Sequence, residues 1–266
     1  IMIKYAITAL FIAVSFCFYF QLSIYPYTVD RWFQPIEAKL VSISAKKCSD
    51  GSGWLGLFMD HAVTHQGAYS AQVAFLDANG ILSHCEIGYK KELLGEQVNS
   101  SNRYRYASSS KLITTSAILK LVDQRKLGLE EKLVSFFPEL TKFRDARVSQ
   151  ITIAHILNHS AGFNRLTLNG DPMFLLFNKP WCPNNLKELQ TLTLAFHPGD
   201  EQIYSNIGYC LLGEVIHRVT GETYRNYIEK EYSLARRDIK FINNYYYDDE
   251  VRYDYRYEQS YNDSYL

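Results

Sequence analysis

The sequence predicts an α/β (α+β) chain in which an antiparallel strand pair precedes a mostly helical middle. Two observations predict it. Ala71 to Leu76 and Ile81 to Gly88 read as strands joined by Asp77-Ala78-Asn79-Gly80, a turn of the hairpin kind. From Lys111 onward the apolar residues recur at helical spacing instead. The 266 residues are 47% hydrophobic and 21% charged, a globular composition that excludes wholesale disorder. The 28 Lys+Arg cancel the 28 Asp+Glu, so no basic excess exists to neutralise phosphates and nucleic acid is not an expected partner. No repeat with a period of about 20–50 residues occurs, which excludes a solenoid or propeller.

Tyr5 to Phe20 is uncharged and mostly apolar, and residues 21–25 extend it to the about 20 residues that a spanning helix needs. A signal peptide and an uncleaved anchor both fit. No small-x-small cleavage site follows, which favours an anchor over residues 1–25. Lys4 places its start on the cytoplasmic side. The expected localisation is therefore membrane-anchored, with a soluble domain on the outer (periplasmic or extracellular) side. Residues 26–53 read as a tether ending in Ser49-Asp50-Gly51-Ser52-Gly53. Trp54 to Val63 has helical spacing. The domain is expected over residues 54–242, and residues 243–266 form a polar tail with eight tyrosines.

The helix from Lys111 carries Leu112, Ile113, Ile118, Leu119, Leu121 and Val122 and is closed by Gly128. Thr152 caps a short helix, Ile153 to Asn158, stopped by Gly162. Another runs from Asn206 to Val219, with Gly221 beyond it and Thr223 capping the next. Cys17, Cys48, Cys85, Cys182 and Cys210 include no C-x-x-C pair. A Cys48–Cys85 bridge in an oxidising compartment and four unpaired thiols are equally open.

Ser108-Ser109-Ser110-Lys111 has S-x-x-K spacing at the start of a helix. A helix N-terminus favours an alkoxide and then an oxyanion. Residues three apart share a helix face, so the Lys111 amine can reach the Ser108 hydroxyl and, desolvated, take its proton. Spacing alone is weak, because Ser44-Ala45-Lys46-Lys47 has it without an apolar helix behind it. Tyr204-Ser205-Asn206 lies at a loop-to-helix junction, where a side chain can project into a cleft or simply pack the helix start. Tyr224-Arg225-Asn226 has the same spacing inside a helix. His155 and His159, like His61 and His65, lie four apart without the glutamate of H-E-x-x-H, and no metal site is expected.

Taken in order, Ser108–Lys111, Leu119 to Leu129, Phe136-Phe137-Pro138-Glu139-Leu140, Ile151 to Phe163, and Phe196-His197-Pro198-Gly199 up to Tyr204-Ser205-Asn206-Ile207-Gly208-Tyr209 resemble the beta-lactamase-related serine hydrolases. That family includes class C beta-lactamases, D-alanyl-D-alanine carboxypeptidases and esterases. The resemblance covers about residues 54–232. It implies the beta-lactamase/transpeptidase-like fold, an antiparallel sheet flanked by helices with a mostly helical subdomain. It also implies acylation of Ser108, proton relay by Lys111 and Tyr204, and a hydrogen bond between Asn206 and the substrate amide or Lys111. The Ser108 backbone N–H would form half of an oxyanion hole, and no cofactor is needed. The implied partner is an ester or amide substrate (D-alanyl peptide, beta-lactam or small ester), handled by a monomer. A non-catalytic cell-wall or peptide-binding protein is the alternative.

The family's third motif, Lys or His, then a small residue, then Gly, sits on a C-terminal sheet strand. Here the last glycine is Gly221, fifteen residues past Asn206, and Lys126-Leu127-Gly128 comes too early. The expectation is a fragment or truncated product lacking the C-terminal strands, with a pseudoenzyme as the third option. The hairpin would then be left largely unpaired.

Overall fold

The computed structural model describes residues 14–17, 19, 26–49, 53–66, 68–91, 93–164, 180–242 and 246–252. The chain divides into two units, Ile1–Tyr104 with Tyr247–Glu258, and Arg105–Tyr246 with Gln259–Leu266.

In the first unit β1 (Lys46–Cys48), β2 (Ser70–Leu76) and β3 (Leu82–Gly88) form an antiparallel sheet in the order β1-β3-β2. Asp77 shapes the hairpin: its Oδ1 accepts the N–H groups of Asn79 and Ile81, and Gly80 takes the positive φ of 78° that the turn requires. Cys85 and Ile87, two apart on β3, are fully buried. They share an apolar cluster with Leu55, Met59 and Val63 of α2 (Gly53–Thr64) and with Ala38 and Val41 of α1 (Pro26–Ser44). The three α2 residues are spaced by four, so one helix stripe faces the cluster.

Residues 26–53, read from the sequence as a tether, thus contain a helix and an edge strand. The hairpin has a third strand, because β1 pairs Cys48 with Cys85 in register. Those two cysteines are disulfide-bonded. A second disulfide, Cys182–Cys210, lies in the other unit, and Cys17 is free and exposed. Sequence spacing did not show the second bridge.

The membrane-anchored localisation needs correction. Of the expected anchor, residues 1–13, 18 and 20–25 lie outside the described residues. Among the described residues no helix is long and apolar enough to cross a membrane. The long helix, α1, carries Asp30, Arg31, Glu37 and Lys39, which a bilayer core disfavours. Of the polar tail, residues 253–266 also lie outside the described residues. Val251 within it is buried and donates its N–H to Arg103 O at 2.8 Å, while Arg103 pairs with Asp249 at 2.6 Å.

The second unit is built from α3 (Ser110–Asp123), α4 (Ile153–Leu157), α5 (Asn206–Thr220) and α6 (Tyr224–Tyr232), with a four-residue helix at Trp181–Asn184 and short 3-10 turns between them. Leu211, Leu212, Val215 and Ile216 of α5 are fully buried and share one core with Ala117, Ile118 and Leu121 of α3 and Ile153 and Ile156 of α4. Gly208 permits a close approach: a Cβ there would lie 2.9 Å from Ile156 Cγ2. Helix ends follow their local chemistry. Thr152 and His155 form a capping box at α4, Gly221 ends α5 in the left-handed region, and Thr223 caps α6. Helix α3 stops at Asp123, before Gly128, because Arg125 turns left-handed at φ 57°.

Candidate active site

Ser108 sits on the 3-10 turn Ala107–Ser109 that feeds α3. Ala107 precedes it at φ 44°, a left-handed conformation that costs a residue with a Cβ roughly 1–2 kcal/mol. The turn is closed by Ser109 N–H to Tyr106 O at 3.0 Å and by Ser110 Oγ to Ala107 O at 2.7 Å. The strained residue and its closing bonds hold Ser108 outward, and its side chain is exposed.

Ser108 Oγ shares a 2.7 Å hydrogen bond with the Tyr204 hydroxyl. Lys111, half-buried on the first turn of α3, donates from Nζ to Asn206 Oδ1 at 2.6 Å. Its ammonium also lies 4.9 Å from the Tyr204 ring centroid and 5.4 Å from that of Tyr209. The four candidate residues, from two segments 96 residues apart, therefore converge. Lys111 bonds Asn206, one of the two partners expected for Asn206, whereas Ser108 bonds Tyr204 and not the Lys111 amine. The reason lies at the turn. Ser108 precedes the α-helix proper, which begins at Ser110, and buried Asn206 offers its carbonyl at the start of α5.

Tyr204 stands just ahead of α5. Its ring lies against that of His159, with centroids 4.7 Å apart. His159 Nδ1 accepts the Ser205 N–H at 3.2 Å, and His159 O accepts the Ile203 N–H at 2.9 Å. Burial, then the charge of Lys111, hold the His159 imidazole below its ordinary pKa. His155 Nδ1 accepts the Thr152 N–H at 3.2 Å. Tyr209 fixes the floor of the site, with its hydroxyl 3.1 Å from Thr115 Oγ1 and donating to Leu157 O at 3.3 Å. Asp145 braces the segment before Tyr204 by accepting from Arg147 and from the Leu194 N–H. The Arg147 guanidinium, more than those backbone bonds, draws its carboxyl down to a pKa of about 2.

The sequence reading did not find Ala107, Tyr209 or the position of His159 beside Tyr204. The His159 signal was present in Asn158-His159-Ser160-Ala161-Gly162, but only spatial proximity distinguishes it from His155.

A family model described as Beta-lactamase matches residues 55–241, well over half of the 266 residues. The chain belongs to the beta-lactamase family. The likeness to beta-lactamase-related serine hydrolases and to their fold, first read from the motifs, therefore holds. Among its relatives, the putative fimbrial assembly protein FimD, serogroup D, of Dichelobacter nodosus is 37% identical over 243 residues, which are 91% of this chain and 61% of that protein. The D-alanyl-D-alanine-carboxypeptidase/endopeptidase AmpH of Escherichia coli K12 is 24% identical over 188 residues, 69% of this chain and 48% of that protein. The solved structure of EstCE1, a hydrolase with promiscuous acyltransferase activity, shares the fold with a TM-score of 0.59 at 23% identity, covering 74% of this chain and 54% of that one. The chain thus spans less than two thirds of the length of these proteins.

Proposed function

We propose that this chain supplies the catalytic site of a serine hydrolase that forms an acyl-enzyme on Ser108. The observation that carries this reading is the 2.7 Å bond between Ser108 Oγ and Tyr204 beside the Lys111–Asn206 pair. Ser108 Oγ bonds to the acyl carbon of an ester or amide while its proton passes to Tyr204, acting as phenolate. The carbonyl becomes an oxyanion facing the Ser108 backbone N–H, near the start of α3. Collapse breaks the bond to the leaving group, which takes up the former Ser108 proton from Tyr204. Water then repeats the sequence on the acyl-enzyme and frees Ser108. Lys111 places a positive charge where the phenolate forms, and Asn206 holds Lys111 in place.

A D-alanyl peptide is the first substrate to test, since it is the one in the name of the AmpH relative. The Cys48–Cys85 and Cys182–Cys210 disulfides favour export to an oxidising compartment. The test is to treat source cells with a tagged fluorophosphonate and map the adduct by mass spectrometry. Label on Ser108 is expected. Protein detected by antibody but left unlabelled would overturn the reading in favour of a binding role.

A further inference from the structure

We infer that His159 is a positioning residue for Tyr204, holding the segment on both sides of it through its backbone carbonyl and its imidazole Nδ1. This inference rests on the acyl-transfer reading of the site. The two hydrogen bonds go to the residues that flank Tyr204: Ile203 N–H to His159 O at 2.9 Å, and Ser205 N–H to His159 Nδ1 at 3.2 Å. A segment of three residues is thus fixed at both ends by one residue on another part of the chain. The imidazole also covers the Tyr204 ring at 4.7 Å and the Tyr209 ring at 5.1 Å, so Tyr204 has little room to swing away from Ser108.

His159 itself is held at φ 57°, in the left-handed region where His and Asn are tolerated better than most residues. Its neighbours fix it there: Asn158 N–H donates to Ala154 O at 3.1 Å and His159 N–H to Ile156 O at 3.0 Å. Because Nδ1 accepts a backbone N–H, the imidazole proton resides on Nε2 and the ring is neutral. Among the described residues, the titratable and charged groups that face the ring are Lys111 from α3 and Tyr204 and Tyr209 from around the start of α5. Burial and the Lys111 charge both oppose protonation, which keeps Nδ1 free to accept. Protonation would set two N–H groups against each other at Ser205 and release one end of the Tyr204 segment.

The test compares His159→Gly and His159→Asn in the full chain. Glycine keeps the backbone conformation and the carbonyl but removes Nδ1. Asparagine also tolerates the conformation and offers Oδ1 near the Nδ1 position. His159→Gly is expected to lower kcat about 10- to 100-fold, the scale of a misplacement near 1 Å, with KM within about threefold. His159→Asn is expected to stay within about threefold of the parent in both. Amide hydrogen exchange at Ser205 is the readout that does not depend on turnover, and it should rise in His159→Gly and not in His159→Asn. The parent should also lose acylation rate in acid, below the ordinary imidazole range, and His159→Asn should lack that limb. Equal kcat in His159→Gly and the parent would overturn the inference. So would equal impairment of the two variants, or an acid limb unchanged by asparagine. A parent that never labels at Ser108 would instead sink the acyl-transfer reading, and unchanged Ser205 exchange in His159→Gly would sink this one independently.

Discussion

Ser44–Lys47 and Ser108–Lys111 have the same serine-to-lysine spacing and opposite structural settings. Ser44 is the last residue of α1, where the helix dipole disfavours a developing anion. Its hydroxyl bonds to Leu40 O at 2.7 Å and to the Tyr89 hydroxyl at 2.8 Å, and Lys47 already belongs to β1, in register with Glu86. Ser and Lys there no longer share a helix face. Ser108 instead precedes a helix, and Lys111 lies on its first turn. The two Tyr-x-Asn stretches differ likewise. The Tyr224 hydroxyl is spent on Thr114 Oγ1 at 2.8 Å, and burial raises its pKa, whereas Tyr204 remains 36% exposed beside Ser108. Spacing carries chemistry only where the backbone turns it toward solvent at the positive end of a helix.

Substitutions can break this contrast. Ser108→Ala should abolish fluorophosphonate labelling, read by gel fluorescence, because it removes the hydroxyl that bonds Tyr204. Tyr204→Phe should lower the acylation rate about 10²- to 10⁴-fold, the range of a general acid–base group. Its counterpart Tyr224→Phe should leave the rate unchanged and cost about 1 kcal/mol of stability for one hydrogen bond, measured by urea unfolding. A rate loss in Tyr224→Phe equal to that in Tyr204→Phe would collapse the distinction between the two tyrosines. Asn206→Ala removes the acceptor of a charged donor, and about 1.5–3 kcal/mol of lost positioning should appear in kcat.

Much of this was legible in the sequence because the decisive signals are local. The turn at Asp77–Gly80, the cap at Thr152 and the stop at Gly221 each depend on a few adjacent residues, and all three occupy those places. Helix α1 was not legible: Pro35 lies inside it, and much of its polar surface reads as linker. Its burial rests on a few small apolar residues such as Ala38 and Val41. The Cys182–Cys210 bridge was hidden because pairing across 28 residues follows from tertiary approach, for which no spacing rule exists. The hydrogen bonds of His159 to either side of Tyr204 were hidden for the same reason. The sequence presents two histidines four apart; His155 makes a local capping bond to Thr152, and only the packing of the α4 end beside the start of α5 gives His159 its bond to Ser205.

The smallest expected effect sharpens the contrast from the other side. Ser44→Ala deletes the bond to Tyr89, and a side-chain hydrogen bond of this kind contributes about 0.5–1.5 kcal/mol. Alanine returns up to about 0.5 kcal/mol of helix propensity at the end of α1, so the net loss should be below about 1 kcal/mol. The bond from Ser44 Oγ to Leu40 O changes little in this sum, because that carbonyl lies on an exposed helix turn where water can replace the hydroxyl. A urea midpoint that moves slightly at constant slope, with Ser108 labelling unchanged, is therefore the outcome that places Ser44 in the framework. Loss of labelling in Ser44→Ala without loss of stability would mean that the spacing near β1 takes part in the chemistry after all.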